Sequence, residues 1–163
     1  MNKQEILDEI NKTKEHLANM EKMLEGCEYE RWKPEKGEMF YFLNSHNTAI
    51  SETWSADCSD ARHYNIYNFF QTREQAEAEA EKILVRRQLE DIAKRLNKGK
   101  KIDWDDENQF KRYISYHNFW GIKTYSVCES KTQGTVYCLD ENFLLVAIQE
   151  IGEERLKKYL RGE

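Results

Sequence analysis

Proline is nearly missing from this sequence, with Pro34 the single instance in 163 residues. The seven glycines are scattered one at a time, so no glycine-rich loop is present to wrap a phosphate chain in backbone amides. No apolar stretch approaches the roughly 18 residues of a membrane span. An apolar leader and a lipidation signal are also lacking, so a soluble chain that stays in the cytosol is expected, with no membrane partner. The four cysteines, Cys27, Cys58, Cys128 and Cys138, form no C-x-x-C pair. That spacing fits reduced thiols better than a disulfide framework or structural zinc. Nor is there an excess of positive charge. A net charge of −5 argues against a whole face given to nucleic acid or to a membrane surface, and leaves room only for a local basic patch.

What the chain does have is aromatic residues, at 12%, in a sequence where 34% is charged. Each buried ring removes about 150 to 250 Å² from water, so the rings can build a core that the aliphatic residues alone would leave thin. The length suits one domain, or one domain with an appendage. The rings are unevenly spread: none in 1–28, many in 29–70, none in 71–103, many again in 104–125. That alternation reads as helix and sheet in turn, and the fold class is α+β: a long N-terminal helix, then two antiparallel strand meanders, each followed by a helix. The organisation is residues 1–28 as an amphipathic, coiled-coil helix and 29–163 as an α+β domain of two halves, 29–99 and 100–163.

In the first segment, Ile6, Ile10, Thr13, Leu17, Met20 and Leu24 recur at spacings of four and three, the seam of a three-heptad coiled coil. So narrow a stripe wants a partner helix, either in its own domain or in a second copy joined through residues 2–25. The runs EMFYFL, TAISETW and YNIYNFF then read as three strands, with Ser45, His46 and Asn47 forming a turn. Thr72 with Gln75 makes a capping box. Acidic residues crowd the start of the following helix, basic ones its end, and Gly99 closes it. Its buried face is expected from Ala76, Ala80, Ile83, Leu84, Leu89, Ile92, Ala93 and Leu96. The second half repeats the plan through KRYISYHNFW, IKTYSVC and TVYCL, with a helix capped by Asp140, a break at Gly152 and a last short helix.

No motif fixes a reaction. His46, Cys58, His63 and His117 match no compact ligand spacing, and the acidic run DWDDEN at 103–108 lacks the glycine of a calcium loop. Ser45 beside His46 is an adjacency, without the context of a nucleophile. The expectation is therefore no catalytic residue, no metal site and no cofactor. Two features remain. Trp32, Trp54, Tyr64, Tyr67, Trp104, Tyr116 and Trp120 are candidate partner-binding rings, because Trp and Tyr anchor interfaces. Lys94, Arg95, Lys98, Lys100 and Lys101 form a basic cluster that could serve nucleic acid, with aromatic strands as stacking platforms. Against each stands a plainer reading: rings lining sheet edges, and the ordinary cationic end of a helix.

The stretch WKPEKGEMFYF, with Trp32, Pro34, Gly37, Glu38, Phe40, Tyr41 and Phe42, carries a W-x-P-x-x-G-E pattern. It is followed by N-x-F-x-T-x-E-x-A-E at Asn68, Phe70, Thr72, Glu74, Ala76 and Glu77. Together these resemble uncharacterised small proteins carried by phages and prophages of Gram-positive bacteria, along most of the chain. The resemblance brings no active site. It implies a context in which small accessory proteins bind host proteins, inhibitors of CRISPR nucleases among them. The expected function is accordingly a non-catalytic inhibitor of a host defence factor such as a CRISPR nuclease or nuclease–RNA complex. A nucleic-acid-binding accessory protein, or a protein that sequesters a small nucleotide, is the alternative.

Overall fold

The computed structural model describes residues 3–25, 31–127 and 129–163. The expectations for Cys27 and Cys128 fall outside these residues. The chain divides into two compact units, Met1–Lys33 and Pro34–Glu163. The first holds helix α1, Lys3–Glu25. On α1 the side chains of Ile6, Ile10, Leu17 and Met20 are exposed. Thr13, the polar member of that stripe, donates its Oγ1 hydrogen to the Glu9 carbonyl at 2.8 Å, so its hydroxyl is satisfied within the helix.

The second unit opens on a turn. Pro34 is buried, Gly37 sits at φ +94°, and the Glu38 carboxylate accepts the Glu35 amide at 2.9 Å. The chain then enters an antiparallel hairpin of β1, Met39–Leu43, and β2, Ala49–Thr53, registered from Met39 opposite Thr53 to Leu43 opposite Ala49. Its turn is held by Asn44, whose side-chain oxygen accepts the amides of His46 and Thr48, while Asn47 takes a left-handed φ of 61°.

The expected third strand at 64–70 is not formed. A helix, α2, Cys58–Asn65, takes its first two residues instead. Asp57 caps that helix through the amides of Ser59 and Asp60. Asp60, only 2% exposed, accepts hydrogen bonds from the Ser55 amide, the Ser55 hydroxyl and the Ala56 amide, fixing a bend where Ala56 holds φ +64°. Downstream of α2 the segment does lie beside β1, through other means. Asn68 clamps Leu43 with its side chain, accepting the Leu43 amide at 2.7 Å and donating to the Leu43 carbonyl at 2.6 Å. Phe70 then makes one backbone bridge to Tyr41.

Thr72 and Gln75 close a full capping box on α3, Arg73–Leu96. The buried positions of α3 are Ala76, Val85, Leu89, Ile92 and Ala93. Leu84, expected on the inner face, is 44% exposed, and Val85 takes the inward place. The stripe drifts because α3 packs on β1 and β2 along one part of its length and on two later helices along another.

The second half is built like the first. Strands β3, Lys111–His117, and β4, Gly121–Val127, form a hairpin, and the expected strand TVYCL touches it at one bridge, Arg112 to Cys138, through paired bonds of 2.7 and 2.8 Å. Each half is thus a two-stranded sheet with a single bridge, in place of the three-stranded meander expected. Helices α4, Phe143–Ile151, and α5, Glu153–Arg161, follow, separated by Gly152 at φ +91°. Asp140 does not cap α4. Its carboxylate accepts the Asn142 amide, and Asn142 holds the cap position without a side-chain bond. The architecture is α+β with two small antiparallel sheets. The main core joins Val85, Leu89 and Ile92 of α3 to Phe143, Ala147 and Leu156 of α4 and α5. No helix among the described residues is long and apolar enough to cross a membrane.

Candidate binding surfaces

The rings singled out from the sequence separate into three groups. Trp54, 4% exposed, belongs to the core beneath the first hairpin, edge-on to Phe40 at 5.8 Å and to Phe69 at 5.5 Å. Its backbone also closes the hairpin, accepting from Gly37 and donating to Glu38. Trp54 is therefore no binding ring, because its place on the inward side of the strand end removes it from solvent. Tyr64, Trp32, Trp104 and Tyr116 are half-buried. Tyr64 leans edge-on against Trp54 and Phe69, and Tyr116 lies under the Arg161 guanidinium, 5.4 Å from its centroid. Tyr67 and Trp120 are exposed, at 77% and 63%.

Trp120 stands at the tip of the β3–β4 hairpin, in the three-residue loop 118–120 between the paired His117 and Gly121. Gly121 takes φ +69°, the left-handed residue that such a loop requires. The Trp120 ring is stacked on His117 with centroids 4.3 Å apart, and Lys123 Nζ lies 5.0 Å from its centroid. Beside it is Phe119, 89% exposed. Phe119 was not among the candidate rings. The sequence signal is two adjacent bulky rings in a three-residue turn, where the strand end at His117 lies within reach of both. Stacking on His117 orients the Trp120 ring although most of it is exposed.

The basic cluster is also divided. Arg95 is engaged by Asp91 and Glu150, and those hydrogen bonds hold its guanidinium above its ordinary, already high pKa. Lys98 sits at the positive φ of the chain reversal after α3, at 49°. Lys94, Lys100 and Lys101 line a groove of about 790 Å³, and Lys131, from the loop after β4, joins them. Trp104 and Tyr137 supply its aromatic lining, edge-on to each other at 5.0 Å. One acid, Glu90, also lines it. In the acidic run 103–108, Asp103 accepts the Asp105 amide and Asp106 the Asn108 amide. Behind Trp104 lies Lys111, fully buried, its Nζ donating to the Asp106 carbonyl at 2.7 Å and lying 5.5 Å from the Trp104 centroid. Lys131 was invisible to a search for clustered charge because it lies thirty residues from the others.

The sulfur chemistry is modest. Cys58 is exposed, and Cys138 is buried, with burial pushing its thiol pKa up. Among the described residues no group of three or more His, Cys, Asp or Glu could hold a metal ion. The residues of the W-x-P-x-x-G-E and N-x-F-x-T-x-E-x-A-E stretches do structural work: Pro34, Gly37 and Glu38 shape the turn, Asn68 and Phe70 attach to β1, and Thr72 caps α3. Comparison with known proteins returns no match: no protein-family model, no curated protein and no solved structure matches the chain.

Proposed function

We propose that this chain is a non-catalytic binding protein that inhibits a host defence factor, such as a CRISPR nuclease or its RNA complex, by direct contact. The observation that carries the binding role is the hairpin tip, where Phe119 and the stacked Trp120 stand together in solvent. Adjacent exposed rings beside a cation are the composition of an interface anchor, and a small protein has little reason to leave them wet otherwise. The host-defence context rests on the resemblance to phage and prophage accessory proteins and on nothing further. The test is capture from lysates of Gram-positive bacteria that express defence nucleases, with the parent and a Phe119→Ser, Trp120→Ser double variant side by side. A defence protein held stoichiometrically by the parent, retained after nuclease digestion and lost with the variant, is the expected result. Equal capture by the two chains would place the contact elsewhere.

A second copy of the chain is also a proposed partner, through α1. In the heptad set by Ile6, Ile10, Thr13, Leu17 and Met20, Glu9 falls at a g position and Lys14 at the e position five residues on. In a parallel, in-register pair these meet across the seam as opposite charges, twice by symmetry.

A further inference from the structure

We infer that the groove between the end of α3 and the loop after β4 binds a nucleotide, with its phosphate on the lysine rim and its base against the aromatic lining. This does not depend on the hairpin tip. Lys94 comes from α3, Lys100 and Lys101 from the segment beyond it, and Lys131 from a separate loop, so three parts of the chain bring cations to one concavity. Four lysines face a single acid there, in a protein whose net charge is −5. Concentrated positive potential against the overall sign is costly to maintain for solubility alone and suits an anionic ligand. The carboxylates of Asp103 and Asp106 accept the Asp105 and Asn108 amides, and neither residue lines the groove.

The rest of the lining distinguishes a nucleotide from a bare anion. Half-buried Trp104, with Tyr137, Ile102 and Val136, adds aromatic and apolar lining to the same cavity. Gly99, at φ +79° and with open space where a Cβ would stand, leaves that margin clear. The volume of about 790 Å³ falls within the roughly 300 to 1,000 Å³ of small-ligand sites. Phosphate with an attached flat base matches both kinds of lining. The same chemistry is offered by a free nucleotide and by one residue of a single strand.

The experiment is fluorescence anisotropy of a labelled eight-residue oligo-dT with the full chain across a salt series. Saturable binding at low salt is expected. The slope of log K against log salt should flatten by about 2 in a Lys100→Glu, Lys101→Glu, Lys131→Glu variant, on the ~0.7 counterions released per phosphate contact. Trp104→Leu should weaken binding roughly tenfold through lost base stacking, with circular dichroism to confirm that it folds. Lys131→Glu alone, at an exposed loop position, keeps the test sound if Trp104→Leu unfolds. Displacement of the strand by adenosine monophosphate assigns the groove to free nucleotides, and failure of that competitor assigns it to strands. No binding at low salt, or equal binding by the triple variant, overturns the inference. So does displacement by inorganic phosphate or polyglutamate as readily as by either nucleotide form.

Discussion

Replacing Trp54 by Ala tests the boundary between core and surface most directly. The ring is 4% exposed and lies within 5.8 Å of Phe40, 5.5 Å of Phe69 and 6.5 Å of Tyr64, centroid to centroid. Burying a ring of this size removes about 200 Å² from water, worth roughly 5 kcal/mol at ~25 cal/mol per Å². Part of that area returns as neighbours relax, and Trp→Ala changes in cores usually cost about 3 to 5 kcal/mol. Against a total stability of about 5 to 15 kcal/mol this is a large share. In a domain of this size it corresponds to a fall in Tm of roughly 10 °C. The assay is urea unfolding followed by circular dichroism, with Trp120→Ala as the paired control. Trp120 is 63% exposed, and its truncation should move stability by no more than about 0.5 kcal/mol. A loss below about 1 kcal/mol for Trp54→Ala, or equal losses for the two variants, would refute the division of the rings drawn here.

Two further outcomes follow from other parts of the chain. Charge reversal at Glu9→Lys should weaken self-association through α1, and adding Lys14→Glu in the same chain should restore it; light scattering reads the mass, and a parent already monomeric at high concentration would dispose of the pairing. Thiol labelling of the native protein at pH 8, mapped by peptide mass, should modify exposed Cys58 and leave Cys138 untouched until denaturant is added, since burial raises the Cys138 pKa and blocks access. Rapid native labelling of Cys138 would contradict its place in the core.

How far the sequence could be read depended on whether a signal was local. The capping box at Thr72, the acidic start and the basic end of α3 are all local, and α3 stands where they put it. The hairpin turn at 45–47 and the break at Gly152 are local as well. The segment 64–70 departs from the strand that its aromatic β-propensity predicts because the Asp57 cap and the Asp60 anchor lie seven and four residues before Tyr64. Once those carboxylates start a helix, its last turn absorbs Tyr64 and Asn65, and propensity is overridden by context. Trp54 could not be told from Trp120 by type. Their difference is tertiary: one ends a strand above other rings, and the other occupies a turn. The groove is half visible, since Lys94, Lys100 and Lys101 are near in sequence, whereas Lys131 is brought to them by tertiary ties: the bridge between Arg112 and Cys138, the Leu139 amide on Asn97 and the Thr132 amide on the Tyr137 hydroxyl.

Helix α3 serves both halves at once. It packs on both strands of the first hairpin, takes the Asn47 side chain on its Ala80 carbonyl, and supplies Val85, Leu89 and Ile92 to the core that α4 and α5 complete. A repeat in which each copy owned its helix could lose one copy and keep the other. Here α3 packs on the first hairpin and on α4 and α5, which carry the second hairpin, so melting of either half strips a neighbour from α3. The two halves, alike in plan, are bound to fold and unfold as a single cooperative unit, and the groove at the far end of α3 shares the fate of the hairpin at its beginning.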